Sequence, residues 1–159
     1  MAISEGDRIP EATLKFMGES GPTDITTAEI FGGKKVVLFA VPGAYTPTCS
    51  MAHLPGFVAL ADKIKEKGVD TIACLSVNDA FVMDSWGKDK NAEDLLMVAD
   101  WDASLTKAMG LEMDASAFGL GVRSQRFALI AEDGVVTKLS VEAPGQFEVS
   151  KAEAILEAL

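Results

Sequence analysis

The sequence predicts an α/β fold, a central mixed sheet flanked by helices. Apolar β-type runs alternate with segments of helical period over the first two thirds of the chain, and a hairpin followed by a helix closes it. At 159 residues the chain is the size of one domain, able to bury roughly two thirds of the surface its unfolded form exposes. Every gap between elements is short enough for a compact unit. Residues 1–159 are therefore expected to form a single domain without an internal linker.

Ala12 to Phe16 reads as a leading edge strand, and Thr26 or Thr27 can open a short helix. Lys35 to Val41 (KVVLFAV) is a continuous apolar run with β-branched residues, bounded by Gly33 and Pro42, as in a buried parallel strand. Beyond it, Phe57, Leu60, Ala61 and Ile64 follow the i, i+3, i+4, i+7 spacing of a core-facing helix that stops at Gly68. Thr71 to Val77 is the next buried strand, followed by a helix capped by Asn78 or Asp79 and carrying Phe81, Val82 and Trp86. Leu95 to Ala99 makes a short strand, and Asp102 to Met109 a short helix ending at Gly110.

Arg126 to Ala131 and Val135 to Val141 flank the turn signal Glu132-Asp133-Gly134 and form a hairpin. Ser150 with Glu153 three residues later is a capping box for a last helix, whose apolar stripe is Ala152, Ile155, Leu156 and Leu159. A leading strand, a βαβ unit and a closing ββα unit together match a thioredoxin-like sandwich, with an extra strand and helix inserted in the middle.

Composition excludes several classes of function. A formal charge of −10 repels a phosphate backbone, and no basic cluster is interleaved with aromatics, so nucleic acid is not expected as a partner. Lys63, Lys65 and Lys67 read as a solvated helix face. No apolar run approaches the roughly 20 residues needed to span a bilayer, and the opening MAISEGDRIP has no secretory apolar core. Two cysteines, Cys49 and Cys74, are too few for a disulfide scaffold. A reducing compartment fits, with the cytoplasm as the expected location and an organellar mature form as the alternative.

The stretch VPGAYTPTCSMAHLPGF, Val41 to Phe57, sets a lone thiol between a strand end and a helix start. In open α/β sheets ligands bind off the carboxyl ends of the strands, where helix N-termini point. Thr46 or Thr48 can cap the helix, which puts Cys49 in or near its first turn. A free cysteine with pKa about 8.5 is only about 3% thiolate at pH 7, and the thiolate is the reactive species. A helix N-terminus contributes at best about 2 kcal/mol, so nucleophilic chemistry here calls for a fixed cation as well.

The chain has three arginines, Arg8, Arg123 and Arg126, and the last two lie in GVRSQRF just ahead of the hairpin. Arg123, farther from the strand, is the better candidate to reach Cys49; the bland reading of both is a surface ion pair with the plentiful acids. A dithiol reductase carries its second cysteine three residues before or after the first, and Thr46 occupies the earlier of those places, so one-thiol chemistry assisted by a hydroxyl is favoured. Cys49 as a plain core filler would not call for Pro42, Gly43 and Pro47 to shape the loop.

His53, the one histidine, is four residues after Cys49 on the same helix face. A Cys-His pair or a metal half-site follows from that spacing, but two ligands do not make a zinc site, and a packed or partly exposed histidine is the simpler reading. Ser104 to Lys107 fits S-x-x-K without its companion motifs and is set aside. Cys74 reads as a core residue of its strand, with a second redox cysteine as the alternative.

PGAYTPTC resembles the P-x-x-x-T-x-x-C signature of peroxiredoxins, with Pro42, Thr46 and Cys49 in place. CSMAHLPGF, ACLSVNDAFVM, GLGVRSQRFALIAEDGVV and FEVSKAEAIL extend the resemblance to the plant type II and mammalian type V branch over nearly the whole chain. It implies a thioredoxin-like fold with a peroxiredoxin-type insertion and a thiol peroxidase that reduces hydrogen peroxide and alkyl hydroperoxides without metal or organic cofactor.

By resemblance Cys49 is the peroxidatic cysteine passing through sulfenic acid. Thr46 then hydrogen-bonds sulfur and peroxide, Arg123 stabilises thiolate and departing oxygen, and Pro42 shields the site. Type V relatives resolve the sulfenic acid with a C-terminal cysteine, and this chain has none after Cys74. The tail is closer to type II, whose members accept electrons through glutathione and glutaredoxin, or thioredoxin, and are commonly homodimers. Cys74 matches that branch's second cysteine.

Overall fold

A computed structural model describes residues 2–159. Its main sheet has seven strands in the order β2-β1-β5-β4-β3-β8-β9. These are β1 (Thr13–Gly18), β2 (Gly21–Thr26), β3 (Lys35–Val41), β4 (Thr71–Ser76), β5 (Leu96–Ala99), β8 (Phe127–Glu132) and β9 (Val135–Val141). A separate ribbon pairs β6 (Glu112–Asp114) with β7 (Val122–Ser124). The helices are α1 (Thr27–Phe31), α2 (Leu54–Glu66), α3 (Ala80–Asp89), α4 (Ser104–Ala108) and α5 (Ala152–Ala158).

The mixed sheet flanked by helices is the expected thioredoxin-like arrangement. β3 lies parallel to β4 and antiparallel to β8, and β4 lies parallel to β5. β3 and β4 are covered on both faces, which is why they read as unbroken apolar runs. Val37, Phe39 and Val41 point into one core layer with Phe57, Ile64, Cys74 and Trp86; Val36, Leu38 and Ala40 point into the other with Phe31, Leu105 and Met109. Each fully buried aromatic in these layers contributes on the order of 2 to 3 kcal/mol relative to its exposed state. The β8–β9 hairpin turns at Asp133 and Gly134, whose φ values of 48° and 79° are the left-handed pair a two-residue turn requires.

Several sequence expectations are corrected. The leading strand is not an edge: β1 is flanked by β2 and β5, and the edge is β2, whose GPTDIT carries too much turn chemistry to read as a strand. Of the apolar residues read on the helix after β4, Trp86 is buried, with Met83 buried beside it, while Phe81 is exposed. Ser150 does not cap the last helix, because Lys151 occupies the cap position without a side-chain bond. The Ser150 hydroxyl donates instead to Glu142 Oε2 at 2.6 Å, the stronger partner in a buried setting. The capping box lies at α1, where Thr26 and Glu29 exchange bonds.

Candidate active site

The chain leaves β3 at Val41 and turns through Pro42–Thr48 into a π-helical turn, Cys49–His53, that leads into α2. Pro55 at the start of α2 has no N–H, and its ring clashes with a carbonyl four residues back in a regular α-helix. The wider turn relieves that clash, and the Leu54 N–H bonds to Cys49 O five residues earlier. The loop before it is held by Asn78, whose Oδ1 accepts from Ala44 N at 3.0 Å and from Ser76 Oγ at 2.5 Å. Neither threonine caps the helix: Thr48 makes no side-chain cap, and the Thr46 hydroxyl is engaged elsewhere.

Cys49 is 0% exposed, and two side chains meet its sulfur. Thr46 Oγ1 lies 2.9 Å from Sγ and 2.6 Å from Gly43 O. A hydroxyl has one proton, so with a thiol the S–H donates to Oγ1 while Oγ1 serves Gly43; with a thiolate the hydroxyl proton turns to sulfur. Arg126 Nη2 donates to Sγ at 3.2 Å. Here is the fixed cation that the helix end alone could not replace.

The guanidinium at the sulfur therefore belongs to Arg126, not to Arg123 as expected. Arg126 immediately precedes β8, whose Phe127 pairs with Ala40 of β3, so it emerges level with the end of β3. Arg123 sits on the separate β7 ribbon and uses Nε on Leu120 O at 2.9 Å and Nη1 on Pro42 O at 3.3 Å. It braces the half-buried Pro42 turn that carries Thr46 and makes no hydrogen bond to Cys49. The ion pairs among the described residues all use lysine, so neither arginine is spent on a surface pair.

His53 is 0% exposed and holds Arg126 from behind. Arg126 Nη1 donates to His53 Nδ1 at 2.9 Å, which leaves the ring proton on Nε2, where it donates to Ser150 O at 3.0 Å. The ring lies between Phe39 and Phe147, at centroid distances of 5.0 and 5.1 Å. Burial, and then the neighbouring Arg126 charge, push its pKa down to about 3, so it stays neutral.

The Redoxin family matches residues 4–156 of this chain. Peroxiredoxin-2E-2 of rice, a chloroplastic protein, is 51% identical, covering 99% of this chain and 72% of that one. Peroxiredoxin-2C of Arabidopsis thaliana is 48% identical over 99% and 98% of the two chains. The crystal structure of reduced Prx3 from Vibrio vulnificus in complex with hydrogen peroxide superposes with a TM-score of 0.95 at 61% identity, covering 98% of each chain.

The chain is a peroxiredoxin of the Redoxin family.

As a peroxiredoxin it is a peroxidase, and the residues expected from the signature fall together: Pro42, Thr46 and Cys49 form one turn, braced by Arg123. Cys74 lies in β4, in register with Phe39 and Met97, and is fully buried. Burial, with the Cys49 sulfur nearby, pushes its thiol pKa well above the ordinary range. Both cysteines are free. Among the described residues no helix is long and apolar enough to cross a membrane.

Residues the sequence undervalued are Arg126, read chiefly as a surface charge, and His53, read as packing. The i, i+4 spacing of His53 from Cys49 was the available signal: it places the ring one turn along, where it reaches the arginine rather than the sulfur.

A neutral buried histidine links stability to pH. His53 binds a proton in the unfolded chain below its ordinary value of 6.5 but not in the folded one until about 3, so stability falls as pH drops through that window. The loss chargeable to His53 is roughly 2 kcal/mol between about pH 7 and pH 5. Urea unfolding of wild type and His53→Gln at both pH values checks this; parallel losses in the two proteins would contradict it.

Proposed function

We propose that Cys49 reduces hydrogen peroxide and alkyl hydroperoxides through a sulfenic acid and is recycled by an external thiol. The observation that carries this reading is the double contact at Sγ, Thr46 Oγ1 at 2.9 Å and Arg126 Nη2 at 3.2 Å. The thiolate pair attacks the terminal peroxide oxygen, the S–O bond forms as the O–O bond breaks, and the departing alkoxide or hydroxide takes a proton. Thr46 and Arg126 donate to sulfur in the resting state and to the oxygens as charge moves onto them. Arg123 and Pro42 shape and shield the turn.

The sulfenic acid then condenses with an incoming thiol, releasing water and leaving a mixed disulfide, and a second thiol displaces Cys49 as the thiolate. Glutathione with glutaredoxin, or thioredoxin, supplies these thiols in a reducing compartment, the cytoplasm or the interior of an organelle. Cys74 is buried in the core strand β4 with its thiol pKa raised, which disfavours the thiolate needed to attack a sulfenic acid, and it takes no obligatory part. Peroxide consumption measured with each donor system decides between them. Cys74→Ser is expected to retain full turnover with the better donor, and loss of turnover in that variant would reinstate Cys74 as the resolving cysteine.

Large apolar side chains are exposed on the site's own segments, Tyr45 and Met51 on its turn and Val122 next to Arg123, and also at Phe81 on α3 and at Phe118. Exposed apolar side chains of this kind suit a second copy of the chain, and the active form is read as a homodimer. Sedimentation of the reduced protein at micromolar concentration should show two chains; a single chain there would remove the dimer from this reading.

A further inference from the structure

Behind the catalytic arginine the chain makes a loop that neither the sequence signature nor the peroxidase chemistry explains. Glu142 follows β9 directly, and its N–H donates to Arg126 O at 3.0 Å, so the two residues sit side by side at one strand end. The loop 143–150 leaves from there and returns to α5. Its residues are exposed except for Phe147 and Ser150, which turn inward.

Glu142 closes this loop upon itself. Its Oε2 accepts from Glu148 N at 2.7 Å, Ser150 N at 2.9 Å and Ser150 Oγ at 2.6 Å. The returning segment makes two contacts with the catalytic group. Ser150 O accepts the His53 Nε2 proton at 3.0 Å, and the Phe147 ring lies under the Arg126 guanidinium, 5.8 Å from ring centre to Cζ, while meeting His53 edge-on.

We infer that Glu142 is a positioning residue for peroxide reduction: by clasping loop 143–150 it fixes the His53 tautomer and the Phe147 ring that together hold Arg126 against Cys49. The inference deepens the function proposed above and rests on it. Each link has a stated need. A guanidinium only donates, so Arg126 needs an acceptor behind it, and His53 Nδ1 accepts only while its proton is kept on Nε2. Ser150 O keeps it there, and among the described residues Glu142 alone accepts from the Ser150 N–H and hydroxyl together. Burial works to raise the Glu142 pKa, but the donors from Ser150, Glu148 and Val149 outweigh it, so the clasp is a carboxylate held below the usual range.

A residue that merely supports the fold and one that acts through Arg126 differ in a measurable way. The rate at which Cys49 reacts with hydrogen peroxide is measured by stopped flow for Glu142→Ala in two backgrounds, wild type and Arg126→Gln. Displacing a reacting group by about 1 Å can cost about 100-fold, and a partly released guanidinium should cost about tenfold. The expected result is a loss of about tenfold in the wild-type background and less than about twofold in Arg126→Gln, because the group being positioned is gone. The lone histidine gives a second readout: its ring nitrogen NMR shifts should report a single Nε2-protonated form in wild type and exchange between tautomers in Glu142→Ala.

Equal losses in both backgrounds, or an unchanged rate with an unchanged histidine signal, would overturn the inference. Phe147→Leu, which keeps an apolar side chain at this half-buried position, runs through the same comparison and decides should Glu142→Ala fail to fold. A wild-type Cys49 that does not react with peroxide at all would defeat the peroxidase reading itself, whereas a fast wild type with additive losses defeats only the clasp.

Discussion

Arg126→Gln is expected to slow the reaction of Cys49 with hydrogen peroxide by roughly 100- to 1,000-fold, the usual cost of removing one preorganised donor from developing negative charge. The substitution removes the guanidinium that donates to the sulfur and leaves His53 Nδ1 without its donor. Arg123→Gln should do much less. Its guanidinium serves two backbone carbonyls, each such bond worth about 1.5 to 3 kcal/mol of stability, but neither reaches the sulfur, so only a fraction, about tenfold in rate, should reach the reaction. Stopped-flow rates for the two variants at equal peroxide concentration make the comparison. A larger loss in Arg123→Gln would show that the arginine at the sulfur in the resting state is not the one that matters as the peroxide bond breaks.

Cys49→Ser should abolish peroxide turnover, by at least about 1,000-fold, as expected when a nucleophile is removed from a preorganised site. Serine fits the same space and can take over the bonds to Thr46 and Arg126, so the fold is retained and the loss is chemical. An alcohol cannot accept the peroxide oxygen as sulfur does. Turnover that survived in Cys49→Ser would have to run through Cys74 or an exposed methionine such as Met51, and would remove Cys49 from the mechanism.

β3, β4, β8 and β9 could be read from their residues because burial on both faces, or a two-residue turn, imposes an apolar run or a glycine at a known place. β2, β6 and β7 could not, because GPTDIT, EMD and VRS are strands only by virtue of the neighbours they pair with. The π-helical turn at Cys49–His53 left one trace, Pro55, whose missing N–H bars a regular helix just upstream.

Within the site, Cys49 and Thr46 were legible because two residues three apart on one turn must lie close together. Which arginine reaches them was not. Arg123 and Arg126 are three residues apart in sequence, yet one belongs to the small ribbon and the other to the end of the main sheet, and that division is made by strand pairing alone. Ser150 shows the same limit, since its capping pattern was sound locally and a carboxylate from the end of β9 outcompeted the helix for it.

The most direct measurement is to treat the reduced protein with one equivalent of hydrogen peroxide, trap sulfenic acid with a dione reagent, and map the label by mass spectrometry. The expected result is one label on Cys49, formed as the peroxide disappears, with Cys74 and Met51 unmodified. Peroxide consumed with no label on Cys49, or with the label on Cys74, would contradict the assignment of this thiol as the reacting centre.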